Sequence, residues 1–442
     1  MMVRTGLWIL LIAWAVPVAA QPVCLVTEHG AVADDEQLDT QPVQAAIDAC
    51  AERGGGTVWV PAGVFDTGTL RLRSRVRLHL DAGSVLRGST DLVDYPLLPE
   101  LTSDDPGRRR ALLVAFDAED VALTGTGTLD GRGPDFAYDT GSGEEVEGRP
   151  MYWTLFQDVE RLTVRDVRLR DATGWTLNLQ RVAGAVIDGV RILNHPKSRN
   201  TDGIGLRGAR NVRISNVHID TGDDAIVFKA GSGRPVEHIT ITNAVLSSDD
   251  AAIKFGTRTE EVMRHVLIQN VAIRDSRYGI TVFMKDGGTV EDVRVENVTF
   301  SGEATRHRTE YPLYLDLDRR DSDSPLGTVR RFTVRGFDAA TRGNVLIAGR
   351  ADAPIEALTL DGVTLRIADP VPLDGLRKPG GKRGLEPTPG SVDLAPVAAH
   401  LTLGHVDGLT LRNVTVIGSG RRPLHLEAVT GVRLDGVTLS EE

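Results

Sequence analysis

Asp202, Asp223 and Asp224 lie in two short runs, Asn200-Thr201-Asp202-Gly203-Ile204 and Thr221-Gly222-Asp223-Asp224-Ala225-Ile226, each leading into alternating apolar residues. Carboxyl groups can protonate a leaving oxygen, draw a proton from water, or ligate a hard cation such as calcium. All three uses need the groups close together, and like charges held close cannot all ionise without one pKa rising. A lone Asp at a strand end commonly does no more than cap a turn. Three that converge point to a substrate or an ion. The chemistry therefore depends on whether the chain brings residue 202 beside 223 and 224.

A repeat does so. A nine-residue pattern of alternating apolar residues, with Asn, Asp or Gly at its sixth place, opens at Arg161, Gly184, Asn211, His238, His265 and Asp292. It returns at Arg331, Ala357, Gly408 and Gly431, and from Gly184 to Asp292 every step is 27 residues. A fixed period of that length, built from short strands with no helix between them, predicts an all-β parallel β-helix whose turns stack on one another. In that register Asp223 stacks with Asp250 and Arg277, and Asp224 stacks with Ala251 and Tyr278. Counting back from Ile226 to Ile204 puts Asp202 beside Asp224. Ile226, Phe228, Ile253 and Phe255 should point into the coil, leaving Val227, Lys254 and Thr281 outward on the carboxylate sheet. Lys254 is then a partner of a substrate or of a carboxylate. Asn216, Asn243, Asn270 and Asn297 fall in one column, expected to be a buried structural ladder whose amides satisfy backbone groups at a bend.

The rest of the chain frames this coil. Residues 1–20 read as a secretory signal, with Arg4, the apolar Leu7 to Val16, and a small-residue site at Val18-Ala19-Ala20. The chain from 21 to 442 is expected to form a single domain that is secreted or periplasmic and monomeric. A helix from Thr40 to Cys50, with Thr40 as its cap, is expected to cover the open end of the coil. Cys24 and Cys50, the only cysteines, could pair in an exported compartment or stand as two buried thiols. Neither has partners at zinc-ligand spacing. Residues 368–390, rich in Pro, Gly and basic side chains, read as a loop excursion, and residues 306–324 form a charged segment that also breaks the period. With 50 basic and 61 acidic residues and a formal charge of −11, the chain is not expected to bind nucleic acid, nor a membrane once the signal is removed.

The pairing of Asn200-Thr201-Asp202 with Gly222-Asp223-Asp224 about one turn later resembles the polygalacturonase-like glycoside hydrolases of family 28. So do Gly63-Val64-Phe65-Asp66-Thr67-Gly68 and Leu80-Asp81-Ala82-Gly83-Ser84-Val85-Leu86-Arg87-Gly88-Ser89; the resemblance runs from about Val58 to Phe300. It implies a right-handed single-stranded parallel β-helix and an inverting hydrolase of galacturonate-containing pectic polysaccharide, with no metal or cofactor. It makes Asp223 the general acid, with a raised pKa, and Asp202 and Asp224 the holders of the attacking water, at the roughly 6.5–9.5 Å separation usual for inverting carboxyls. Two of the family's motifs are altered: Asp250-Ala251-Ala252 stands where Gly-His-Gly is expected, and Thr281-Val282-Phe283-Met284-Lys285 where Arg-Ile-Lys is expected. Asn200, Lys254, Lys285, Asp250, Arg277 and Tyr278 are the expected substrate-binding residues, the cations facing the carboxylates of an acidic sugar. Trp153, Trp175 and Tyr278 are candidates for stacking on sugar rings, and His195 could enter the cleft. A calcium-dependent β-helix lyase and a carbohydrate-binding β-helix without turnover are the alternatives.

Overall fold

The computed structural model describes residues 22–136, 146–231, 233–302, 310–370 and 397–440. The first 21 residues, which contain the expected signal, lie outside these, as do residues 371–396, most of the expected loop excursion.

Short strands pair in parallel with the equivalent strand one coil away, and among the described residues 33 of them form one continuous sheet wound into a right-handed single-stranded parallel β-helix. The sheet that carries the carboxylates is built from Trp175–Gln180, Ile204–Arg207, Ile226–Ala230, Ala251–Thr259, Tyr278–Met284 and Tyr311–Leu317. Its register joins Ile204 to Ile226, Ile226 to Ile253, Ile253 to Ile280 and Ile280 to Leu313. These inward residues are buried, and the Phe228 and Phe255 rings stack beneath the carboxylates at 4.4 Å. Identical side chains on rungs roughly 4.8 Å apart thus build the core by repetition.

The residues that open the nine-residue pattern explain its punctuation. Asn211, His238, His265 and Asp292 all have φ between 53° and 58°, and so do Asn216, Asn243, Asn270 and Asn297 at the sixth place, with φ between 52° and 55°. Each coil bends twice through the left-handed region, where Asn, Asp, His and Gly are least strained. The asparagine column differs from expectation. Its amides lie on the outer surface and bond to one another, Asn243 Nδ2 to Asn216 Oδ1 at 3.2 Å and Asn297 Nδ2 to Asn270 Oδ1 at 2.7 Å. A left-handed residue at an outward bend turns its side chain away from the core, so the amides satisfy each other and not the backbone.

Helix α1 (Thr40–Glu52) buries Val43, Ala46, Ile47 and Cys50 against the first coil, and a disulfide joins Cys50 to Cys24. Thr40 is the first residue of the helix and not its cap; its Oγ1 accepts the Gly68 N–H at 2.7 Å, tying the helix to the coil beneath. Among the described residues no helix is long and apolar enough to cross a membrane.

Candidate active site

The two aspartate runs meet because one coil separates them. The Gly203 N–H donates to the Asp224 carbonyl at 2.8 Å, which sets Asp202 against Asp224 on adjacent rungs. The turn before Asp223 is packed so closely that a Cβ on Gly222 would stand 2.1 Å from the Ser198 carbonyl oxygen, so only glycine fits there. Thr201 ties the two coils: its Oγ1 accepts the Gly222 N–H at 3.2 Å, and its carbonyl accepts from the Thr221 hydroxyl. Ser248 Oγ, from the following coil, donates to the Asp223 carbonyl at 2.7 Å.

Asp223 is half-buried, and both its carboxylate oxygens accept backbone N–H groups, Oδ2 from Asn200 at 3.2 Å and Oδ1 from Asp224 at 2.9 Å. Asn200 contributes here through its backbone, in the left-handed conformation at φ 58°. Asp202 and Asp224 are buried. One oxygen from each of the three carboxylates lies within 4.8 Å of the others. That is closer than the roughly 6.5–9.5 Å usual between the opposed carboxyls of inverting enzymes.

Two lysines face the cluster. Lys229 Nζ stands 2.7 Å from Asp202 Oδ2, and Lys254 Nζ stands 3.0 Å from Asp224 Oδ1 and 3.2 Å from Asp250 Oδ2. Burial pushes the Asp224 carboxyl well above the ordinary carboxylate range; Lys254 opposes this, and Asp223, Asp250 and Asp202 add to it. Burial works against the charge of Lys254, yet Asp224, Asp250 and Asp223 carry its pKa well above the usual lysine range. The acidic donor set would suit a hard cation such as calcium, but ammonium groups already neutralise two of its three members.

The expected binding residues divide. Lys254 is on the site's sheet as the alternation predicts, but at 8% exposure it is held between Asp224 and Asp250 and is a carboxylate partner first. Asp250 is its second acceptor, and Arg277 Nη1 approaches Asp250 at 4.0 Å. Lys285 does not reach the cleft: it is 1% exposed, 3.5 Å from both Asp316 and Asp318. Its position beyond the end of Thr281-Val282-Phe283 carries it past the cleft floor, so the lysine kept from the altered motif does not face the carboxylates. Tyr278 is also unavailable to a sugar, since its ring is buried against Tyr311 at 5.4 Å, and burial drives its hydroxyl pKa far upward. Trp153 is fully buried. The ring of Trp175 is occupied by cations, with Arg108, Arg207 and Lys229 at 5.4, 5.7 and 5.3 Å from its centroid. His195 is exposed on its loop, and its Nδ1 accepts the Lys197 N–H at 3.3 Å.

Lys229 and Arg207 escape a reading of the sequence that stops at Val227, although the same alternation continued two residues further turns both outward. They line a hollow beside Asp202 together with Trp175, Asn178 and Gln180.

The family model described as Glycosyl hydrolases family 28 matches residues 50–368. The chain is 30% identical over 216 residues to a protein named probable polygalacturonase from Vitis vinifera, an alignment covering 47% of this chain and 44% of that one. It is 27% identical over 266 residues to an exo-poly-alpha-D-galacturonosidase from Dickeya chrysanthemi, covering 50% of this chain and 44% of that one. The chain thus spans about half the length of the curated relatives it matches. Among solved structures, a hyperthermoactive exopolygalacturonase from Thermotoga maritima superposes with a TM-score of 0.67 at 21% identity, over 79% of this chain and 88% of that one.

Proposed function

The chain belongs to glycosyl hydrolases family 28, and from that premise we propose that it is a secreted glycoside hydrolase that cleaves galacturonate-containing pectic or related polysaccharide with inversion at the anomeric carbon. The observation that carries this reading is the convergence of Asp202, Asp223 and Asp224, with one oxygen of each within 4.8 Å of the others. With the Asp224 carboxyl held above the ordinary range by burial and its acidic neighbours, the cluster keeps a proton at the site. Asp223 is the member that faces the cleft, so the proton reaches the leaving oxygen through it. Asp202 and Asp224, each fixed by a lysine, draw a proton from the water that attacks the anomeric carbon. The water is held by Asp202 and Asp224 together, which accounts for the closeness of those two carboxylates.

Product analysis tests this reading. Incubation with a panel of pectic polysaccharides should release reducing ends without unsaturated absorbance. Unsaturated ends would instead mark a lyase, and binding without either product a carbohydrate-binding protein.

A further inference from the structure

An acidic polysaccharide must bring its own carboxylates up to three aspartates, so some local cation has to receive them. On the side of the site beyond Asp224 both lysines are committed, and Arg277 lies over the Tyr278 ring at 5.2 Å with Asp250 at 4.0 Å. Lys254 lies between Asp224 and Asp250, and Lys285 between Asp316 and Asp318. The outward columns there continue from Lys254 to Thr281 and Tyr314, and from Gly256 to Phe283. A carboxylate placed on them would lose its water without gaining a counter-charge.

On the other side of Asp202 the column runs Gln180, Arg207, Lys229 on successive rungs. Lys229 is paired with Asp202, whereas among the described residues no carboxylate pairs with the Arg207 guanidinium, which lies over the Trp175 ring at 5.7 Å. Arg108 reaches the same ring from the 3-10 turn Pro106–Arg109, at 5.4 Å. Of the three cations on this indole, Lys229 is paired with Asp202 and Arg108 with Asp105 at 3.3 Å, which leaves the Arg207 guanidinium without a carboxylate among the described residues. The ring holds the cations in place by cation–π attraction, and a planar guanidinium so held can meet a carboxylate with two parallel N–H donors.

We propose that Arg207, positioned by Trp175, is the specificity-determining residue that receives the carboxylate of a uronate unit lying across the mouth of the hollow beside Asp202. On the opposite side of the three aspartates the columns through Thr281 and Phe283 carry no charge to receive a second carboxylate. This rests on the hydrolase reading above for its substrate class.

The test is calorimetric binding to the full chain carrying Asp223→Asn, so that bound sugar is not consumed, with and without Arg207→Gln. The ligands are a galacturonate oligosaccharide and the same oligosaccharide with its carboxyls reduced. Loss of one charge-assisted contact should weaken the acidic ligand roughly ten- to hundredfold and leave the reduced one unchanged, and Arg207→Lys should recover part of the loss. Added salt should weaken binding of the acidic ligand alone. Equal weakening of both ligands, or no change in either, would overturn the assignment. If the parent also hydrolyses pectic chains, that outcome leaves the hydrolase reading standing. A parent that neither binds nor cleaves any uronide would remove both.

Discussion

The Lys254 ammonium stands 3.0 Å from Asp224 Oδ1, and each group holds the other inside the floor of the site. A cation so placed fixes the carboxylate proposed above to hold the water, and its ammonium is already shared between Asp224 and Asp250. Lys254→Met should therefore reduce kcat on charged and neutral glycosides alike, with little selective change in KM. It should also lower the unfolding free energy, since removing one partner of a buried ion pair typically costs about 3–5 kcal/mol. Steady-state kinetics and denaturant unfolding check both. A KM increase confined to uronate substrates would return Lys254 to a binding role.

Asp223→Asn should cut turnover by roughly 10²–10⁴, the usual contribution of a positioned acid, while sugar binding persists. The amide keeps an oxygen able to accept the Asn200 or Asp224 N–H, so the turn should survive. The parent's first-formed product, followed by NMR before mutarotation, should be the inverted anomer. A retained anomer would mean that one carboxylate attacks carbon directly, which the short spacing of the three groups would then explain.

Much of this site is legible in the sequence because the coil turns period into position. The 27-residue step alone predicts that Ile226, Ile253 and Ile280 stack and that Asp224 neighbours Ala251, as the register shows. Asp202 follows by counting back one shorter coil. What the period does not carry is the reach of long side chains. Lys254 and Lys285 are both expected in the cleft, yet one is held by two carboxylates and the other is buried between two more, because pairing and burial depend on which side chains the same and the adjoining coil present. Tyr278 failed as a sugar platform for the same reason: Tyr311 stacks on it from the next coil, 33 residues on, where the period had already broken.

Exhaustive chelation should leave turnover unchanged. A divalent ion at Asp202, Asp223 and Asp224 would stand next to the Lys229 and Lys254 ammonium groups, at 2.7 and 3.0 Å from two of its ligands, and like-charge repulsion works against it. Activity assays after chelation, with and without added calcium, measure this. Loss on chelation with recovery in calcium would favour a calcium-dependent lyase.

The pH dependence follows from Asp224, whose carboxyl is held well above its ordinary 3.8 by burial first and by the neighbouring aspartates. Because the folded-state pKa is raised above the unfolded value, the proton on Asp224 stabilises the fold fully below the unfolded pKa. That contribution is lost as pH rises through the folded pKa. The unfolding free energy of the parent minus that of Asp224→Asn should accordingly decline across this window, and the subtraction cancels the titrating groups that do not touch Asp224. Catalysis shares the window, since the cluster can protonate a leaving oxygen only while it retains a proton. Asp224→Asn removes the carboxyl that burial and its neighbours hold above the ordinary range, and with it a proton the parent's cluster retains. The basic limb of the residual kcat profile should move toward acid in consequence. A basic limb that stays in place in Asp224→Asn would show that the proton used in turnover is not shared with Asp224, and would leave Asp223 to carry it alone.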